Sequence, residues 1–315
     1  MRELERRKHD TNGSKPALDD GGLHVVREVA ELRRALAPAR RAGRTIGLVP
    51  TMGAFHEGHL SLIRRARAEC DLVVVSLFVN PAQFGPGEDL ESYPRDESRD
   101  RALAARERVD LLFAPSEDEV YPDGHGTTVE VPEVARVLCG APERRGPGHF
   151  RGVATVVTKL FNMTQPDVAY FGQKDFQQTL VIKRLARDLC MPVRIEVCPT
   201  VRDPDGLALS SRNAYLTPAD RERALSLKRA LDAAEEAIAA GAARQDALAS
   251  AVTALEAGGV VLEYAEILGA ADLRDPRWIP GERVVVALAA RIGRSRLIDN
   301  AVVKLPVLVS ESLPT

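Results

Sequence analysis

The chain has 315 residues, 45% hydrophobic and 28% charged, with 43 basic against 45 acidic side chains. This is the composition of a globular protein with room for one large domain or two ordinary ones, and its near balance of charge argues against bulk electrostatic binding of nucleic acid. No apolar run reaches the roughly 18 residues a membrane span requires, no apolar stretch follows the first charges as in a secretory signal, and Cys70, Cys139, Cys190 and Cys198 form no C-x-x-C pair, so free thiols in a reducing, cytoplasmic setting are expected.

Residues 1–22 are polar and lack periodicity, and are expected to form a disordered tail. A helical pattern runs from about Val26 to Arg40, followed by a short apolar run at 45–49 and a helix starting near His59. Leu72 to Val79 is almost continuously apolar, as in a parallel strand buried on both faces. A helix is predicted at 97–108, a strand at 109–114, a buried helix at 152–163, and a strand at 168–171. A helix at 175–189 and a strand at 193–198 follow. This alternation predicts an α/β fold with a doubly wound parallel sheet. The texture changes after the turn signal Asp203-Pro204-Asp205-Gly206. Ala-rich helices at 218–239 and 244–257 lead to strand-like runs at 260–268, 283–290 and 296–298, a second, smaller α+β domain. The expected division is 23–200 and 201–303, with a C-terminal tail at 304–315.

Four polar clusters fall at predicted strand ends or at the domain seam. His56-Glu57-Gly58-His59 follows a strand and opens a helix, where unpaired backbone N–H groups attract phosphate. Gly53 and Gly58 permit close approach, and the two histidines share one face of the turn. Alone, the pair also fits a tight turn with two surface histidines, and no third residue completes a metal site. Gly172-Gln173-Lys174-Asp175 again lies between strand and helix, where Lys174 can neutralise phosphate or Asp175 simply cap the helix. Ser210-Ser211-Arg212 offers two hydroxyls beside a guanidinium, suited to phosphate or to a plain polar loop. Asn80 and Gln83, after the strongest strand, are neutral groups able to orient a hydroxy acid, as are Gln177 and Gln178. Neither G-x-x-x-x-G-K-[ST] nor G-x-G-x-x-G is present, so any ATP is bound by another arrangement.

The segments PTMGAFHEGH, FVNPAQF, GHFRGVATVVTKLFN, FGQKDFQQ and PTVRDPDGLALSSRN resemble the pantothenate synthetase (pantoate–β-alanine ligase) family, in the right order and from about residue 24 to residue 300. The first segment alone points only to the wider nucleotidyltransferase group. The resemblance implies a Rossmann-like domain, a smaller domain closing over the site, a homodimer, and ATP-dependent condensation of (R)-pantoate with β-alanine using Mg²⁺. It implies ATP contacts at Met52, Gly53, Ala54, Phe55, His56, Glu57, Gly58 and His59, at Gly172, Gln173, Lys174 and Asp175, at Val201, and at Leu209, Ser210, Ser211 and Arg212. His59 takes the place of the proton donor. Gln83 matches the position contacting both pantoate and β-alanine, Gln178 one contacting pantoate, and Asn80 a further site position. The catalytic set expected is His59, His56, Lys174 and Arg212, with the Mg²⁺ ligands unassigned.

Two departures stand out. Many family members carry an acidic residue where this chain has Cys139, and an Arg where it has Gly146, three residues before His149. The segment 142–146 is longer, and Arg145 is the candidate to replace that Arg. The competing readings are a nucleotidylyltransferase of the same superfamily, which would lack FVNPAQF and SSRN, and a catalytically silent nucleotide-binding or assembly protein.

Overall fold

The computed structural model describes residues 22–307. The expected N-terminal tail, apart from Gly22, and the end of the expected C-terminal tail lie outside these residues. The first unit comprises β1 (His24–Val26), α1 (Val29–Arg41), β2 (Ile46–Thr51), α2 (Glu57–Glu69), β3 (Leu72–Leu77), α3 (Glu97–Arg106) and β4 (Leu111–Phe113). It continues through α4 (Glu117–Val120), α5 (Pro132–Ala135), α6 (Pro147–Thr164), β5 (Val168–Gly172), α7 (Phe176–Asp188) and β6 (Arg194–Cys198). The six strands form one parallel sheet in the order β1-β4-β3-β2-β5-β6. β3 shows why: Leu72 and Val74 enter one core, while Val73 and Val75 enter the core on the opposite face. Helices cover both faces, so an uninterrupted apolar strand has no solvent side.

From β2 the chain winds outward to β3 and β4, then returns to β5 on the other side of β2. That reversal opens a crevice beyond the carboxyl ends of β2 and β5, where ligands bind in such sheets. Two predicted elements differ in extent. α6 begins at Pro147, after Gly146 in the left-handed region (φ 76°), because proline is preorganised for the first helical position. β1 has only three residues, too few for periodicity to separate it from the following helix.

The second unit contains α8 (Pro218–Ala239), α9 (Arg244–Ala257) and an antiparallel sheet of β7 (Val261–Gly269), β8 (Arg283–Ile292) and β9 (Ser295–Lys304). β9 is longer than predicted because it pairs with β8 along its whole length, through Lys304. Along β8, Val284, Val286, Leu288 and Ala290 pack with α8 and α9, whereas Val285, Ala287 and Ala289 join the core of the first unit. This alternation is the two-residue period of a strand. It makes the small sheet the layer that welds the two units. Among the described residues no helix is long and apolar enough to cross a membrane.

Candidate active site

The loop after β2 is shaped by two backbone conformations and one buried carboxylate. Gly53 (φ 87°) and Ala54 (φ 54°) both lie in the left-handed region, which costs a non-glycine residue such as Ala54 about 1 kcal/mol. The N–H groups of Ala54 and Phe55 donate to the two oxygens of Asp100, on α3, at 2.8 and 2.7 Å. Burial pushes the Asp100 carboxyl up, against the pull of the Phe55 and Ala54 N–H groups. Asp100 is absent from the sequence-based site. No local pattern could have revealed it, since it lies 46 residues from Ala54 on a helix that otherwise looks solvated.

His56 then caps α2: its Nδ1 accepts from Gly58 N at 3.2 Å, which leaves the proton on Nε2. The His56 and His59 ring centroids lie 4.2 Å apart, and Nδ1 of His59 is buried with no hydrogen-bond partner among the described residues. Burial, reinforced by the nearby Lys174 ammonium, lowers the His56 pKa to about 4. Burial, then His56 and Lys174, lowers that of His59 to about 3. Both rings are therefore neutral at pH 7. The 3-10 turn Gln173–Asp175 brings Lys174 to the same wall from the end of β5. Arg212 enters from the small unit. Its guanidinium is held in a fork by Asp89 at 2.9 and 2.8 Å, and Ser210 Oγ accepts from its backbone N–H at 3.3 Å. Burial lowers the Arg212 pKa, but the bond to Asp89 outweighs it and the net shift is upward.

The opposite wall is built from neutral amides. Asn80 is 1% exposed and donates to Gln83 Oε1 at 3.0 Å and Gly152 O at 3.1 Å, while accepting from Tyr121 OH at 2.7 Å. Its hydrogen bonds thus hold the protein and orient Gln83. Gln83 Nε2 faces Met52 Sδ at 3.1 Å, a weak acceptor that a ligand can replace. α6 touches this turn so closely that a Cβ on Gly152 would stand 2.1 Å from Ala82 O. His149 donates from Nδ1 to Gln83 O at 2.8 Å and accepts at Nε2 from Arg145 Nη1 at 3.0 Å. Arg145 also lies 3.4 Å from Gln83 O and pairs with Glu88. Burial pushes the Glu88 carboxyl up, but the Arg145 bond wins and holds it below the usual range. Gln177 is a brace: it donates to Val134 O and Val137 O at 2.8 and 2.6 Å and accepts from Cys139 N at 3.0 Å. Cys139 Sγ faces Tyr264 OH at 3.2 Å and Arg296 Nη2 at 3.3 Å, across the seam.

These walls line a cavity of about 230 Å³, here the inner cavity, that shares Arg145, His149, Lys174, Asp175, Gln178, Ser210 and Arg212 with a cleft of about 1150 Å³ between the units, the outer cleft. Of the expected site residues, Met52, His56, Gly58, His59, Asn80, Gln83, Gly172, Lys174, Asp175, Gln178, Val201, Leu209, Ser210, Ser211 and Arg212 line the inner cavity. Gly53, Ala54, Phe55, Glu57 and Gln173 do not. The Phe55 side chain is wholly in the core, the Glu57 carboxylate pairs with Arg64, and Gln173 Nε2 donates to Asn300 at 3.5 Å. Arg145 and His149 line the cavity and were outside the sequence-based site. The histidine of the P-G-H-F segment was the available signal for them.

The family model for pantoate-beta-alanine ligase matches residues 24–302. A pantothenate synthetase of Moorella thermoacetica is 52% identical over 286 residues, covering 90% of this chain and 99% of the relative. A crystal structure of pantothenate synthetase from Thermus thermophilus aligns with TM-score 0.82 and 49% identity, over 88% of this chain and 98% of that one. A pantoate-beta-alanine ligase from Francisella tularensis, described as complexed with beta-gamma ATP and beta-alanine, aligns with TM-score 0.72 and 37% identity over 89% and 97% of the two chains. With a family match across almost all of its described residues and relatives of about half-identical sequence, the chain belongs to the pantoate-beta-alanine ligase family.

Proposed function

We propose that this protein condenses (R)-pantoate with β-alanine, using ATP and passing through pantoyl-adenylate, with release of AMP and diphosphate. The observation that carries this reading is a single cavity at the switch point of the sheet. Lys174, Arg212 and hydrogen-bond donors form one wall, and the amides of Asn80, Gln83 and Gln178 with Arg145 the other. In the first half-reaction the pantoate carboxylate attacks the α-phosphorus and diphosphate leaves. Such a step needs alignment and charge stabilisation more than covalent help from the protein. Lys174 and Arg212 supply positive charge, and Ser210 and Ser211 supply donors. His56 and His59, neutral at pH 7, act first as N–H donors to phosphate oxygens. The triphosphate's own charge then raises their proton affinity. In the second half-reaction the β-alanine amine attacks the acyl carbonyl and AMP departs.

On the other wall Gln83, oriented by Asn80, holds pantoate with Gln178. Arg145 supplies the cation that the family places three residues before this histidine, reaching the cavity from one residue earlier along a longer loop. Residues 201–303 serve as the lid over the outer cleft. Among the described residues no cluster of three His, Cys, Asp or Glu side chains could cage a metal. The Mg²⁺ that the family resemblance implies would be carried on the nucleotide, since this ion keeps several waters and takes few protein ligands. Asp175, a carboxylate on the inner wall, is our candidate to meet it. A homodimer and a cytoplasmic setting follow from the family resemblance.

The test is release of AMP by the purified enzyme. It is expected to require both pantoate and β-alanine, with diphosphate formed in equal amount. Steady release with either acid or amine omitted would overturn the reading.

A further inference from the structure

The turn carrying Lys174 has no anchor of its own. It is a single 3-10 turn between β5 and α7, and Asp175 at the start of α7 makes no side-chain cap. Among the described residues Lys174 Nζ approaches no carboxylate closer than 4.0 Å, that of Asp175. The carbonyls of this turn are instead satisfied from the other unit. Asn300 on β9 donates both amide hydrogens, to Gln173 O at 3.0 Å and to Lys174 O at 2.9 Å. Its Oδ1 receives Gln173 Nε2 at 3.5 Å. Asn300 is 5% exposed, and its donors are spent on these contacts, so it is not itself a ligand group.

The neighbouring residue fixes the strand that makes these contacts. Asp299, 3% exposed, receives Arg202 in a two-pronged pair at 2.6 and 2.9 Å and also accepts from Asn300 N at 2.8 Å. Arg202 follows Val201 and pairs across a short bridge with Ala208, just before the Leu209–Arg212 segment. Two consecutive residues of β9 thus grip two of the three chain segments that form the phosphate wall, the turn at 173–175 and the stretch leading into 209–212. A buried amide bonded to two backbone carbonyls fixes position well, because leaving either carbonyl unpaired is costly.

We propose that Asn300 is a positioning residue for adenylate formation: from the small domain it sets the turn that aims Lys174 at the triphosphate. The proposal rests on the reading of Lys174 as a phosphate contact. Arg212 already brings the small domain to the phosphate site; through Asn300 that domain also sets Lys174, which belongs to the first.

The test is a double-mutant cycle on pantoate-dependent ATP–diphosphate exchange, comparing Asn300→Ala, Lys174→Ala and the double variant. Asn300→Ala is expected to slow exchange at low ATP about tenfold, as coupled neighbours do, and to leave the pantoate KM unchanged. In the Lys174→Ala background it is expected to do nothing further. Asn300→Ser keeps one donor and is expected to fall between wild type and Asn300→Ala. It also serves as the cycle's variant if the alanine form does not fold. Equal loss in both backgrounds, or a pantoate KM rising as much as that for ATP, overturns the proposal and leaves a purely structural asparagine. If Lys174→Ala alone exchanges at the wild-type rate, the phosphate reading of Lys174 falls first, and the role of Asn300 with it.

Discussion

The two walls of the inner cavity are made by different means. The phosphate wall is assembled from strand ends and helix starts: His56 and His59 at the head of α2, Lys174 between β5 and α7, and Arg212 from the small unit. The amide wall is assembled by side chains that hold one another, with Asn80 fixing Gln83, His149 fixing the Gln83 carbonyl, and Arg145 fixing His149. A helix terminus supplies its donors and partial charge through backbone geometry alone. An amide network supplies nothing until every member is in place. The phosphate wall should therefore fail locally and steeply when one donor is lost. The amide wall should fail by loosening one ligand.

Two substitutions press on that contrast. His59→Ala has the largest expected effect. Removal of a positioned donor to developing charge slows adenylate formation by roughly 100- to 1000-fold, with pantoate binding little changed. Burst measurement of diphosphate release checks this, and near-normal turnover would take His59 out of the mechanism. Gln83→Ala comes next. Loss of about one hydrogen bond to pantoate raises its dissociation constant roughly tenfold while that of ATP stays put. Calorimetric titration of each ligand decides it. Equal weakening of both would mean that the walls are not separate.

The same contrast explains what could be read from sequence. Strand-to-helix junctions announce themselves through periodicity and glycines, so the segments at 52–59 and 172–175 and the parallel sheet were legible. So was the textural change near residue 201, because antiparallel pairing and Ala-rich helices differ in pattern from buried parallel strands. Partners distant along the chain were not legible. Asp100 beneath the loop at Ala54 and Asn300 beneath the turn at Lys174 are polar residues whose roles depend on which backbone folds against them. Asn80 and Gln177 resemble free ligand groups in sequence, yet the structure gives their hydrogen bonds to the protein. Arg145 depends on the path of a lengthened loop, which a shifted motif cannot specify.

The mildest test uses pH to separate the walls. His56, His59 and His149 are held near pKa 4, 3 and 3, in each case first by burial. Folded values lie below the unfolded value near 6.5, so the unfolded chain binds more protons from about pH 6.5 down to about 4 for His56 and about 3 for His59 and His149. Stability is therefore fully present above pH 6.5 and is lost as pH falls, by up to about 1.4 kcal/mol per pH unit for each histidine. The two walls should respond differently to a non-hydrolysable ATP analogue. Bound phosphate raises the proton affinity of His56 and His59 and removes their share of the acid sensitivity. His149 keeps its share, because its Nε2 must remain unprotonated to accept from Arg145. Denaturant melts at stepped pH should thus show a slope that the analogue reduces and that His149→Gln reduces further. If the analogue alone flattens the whole slope, His149 titrates with the phosphate wall, and the cavity is one electrostatic unit rather than two.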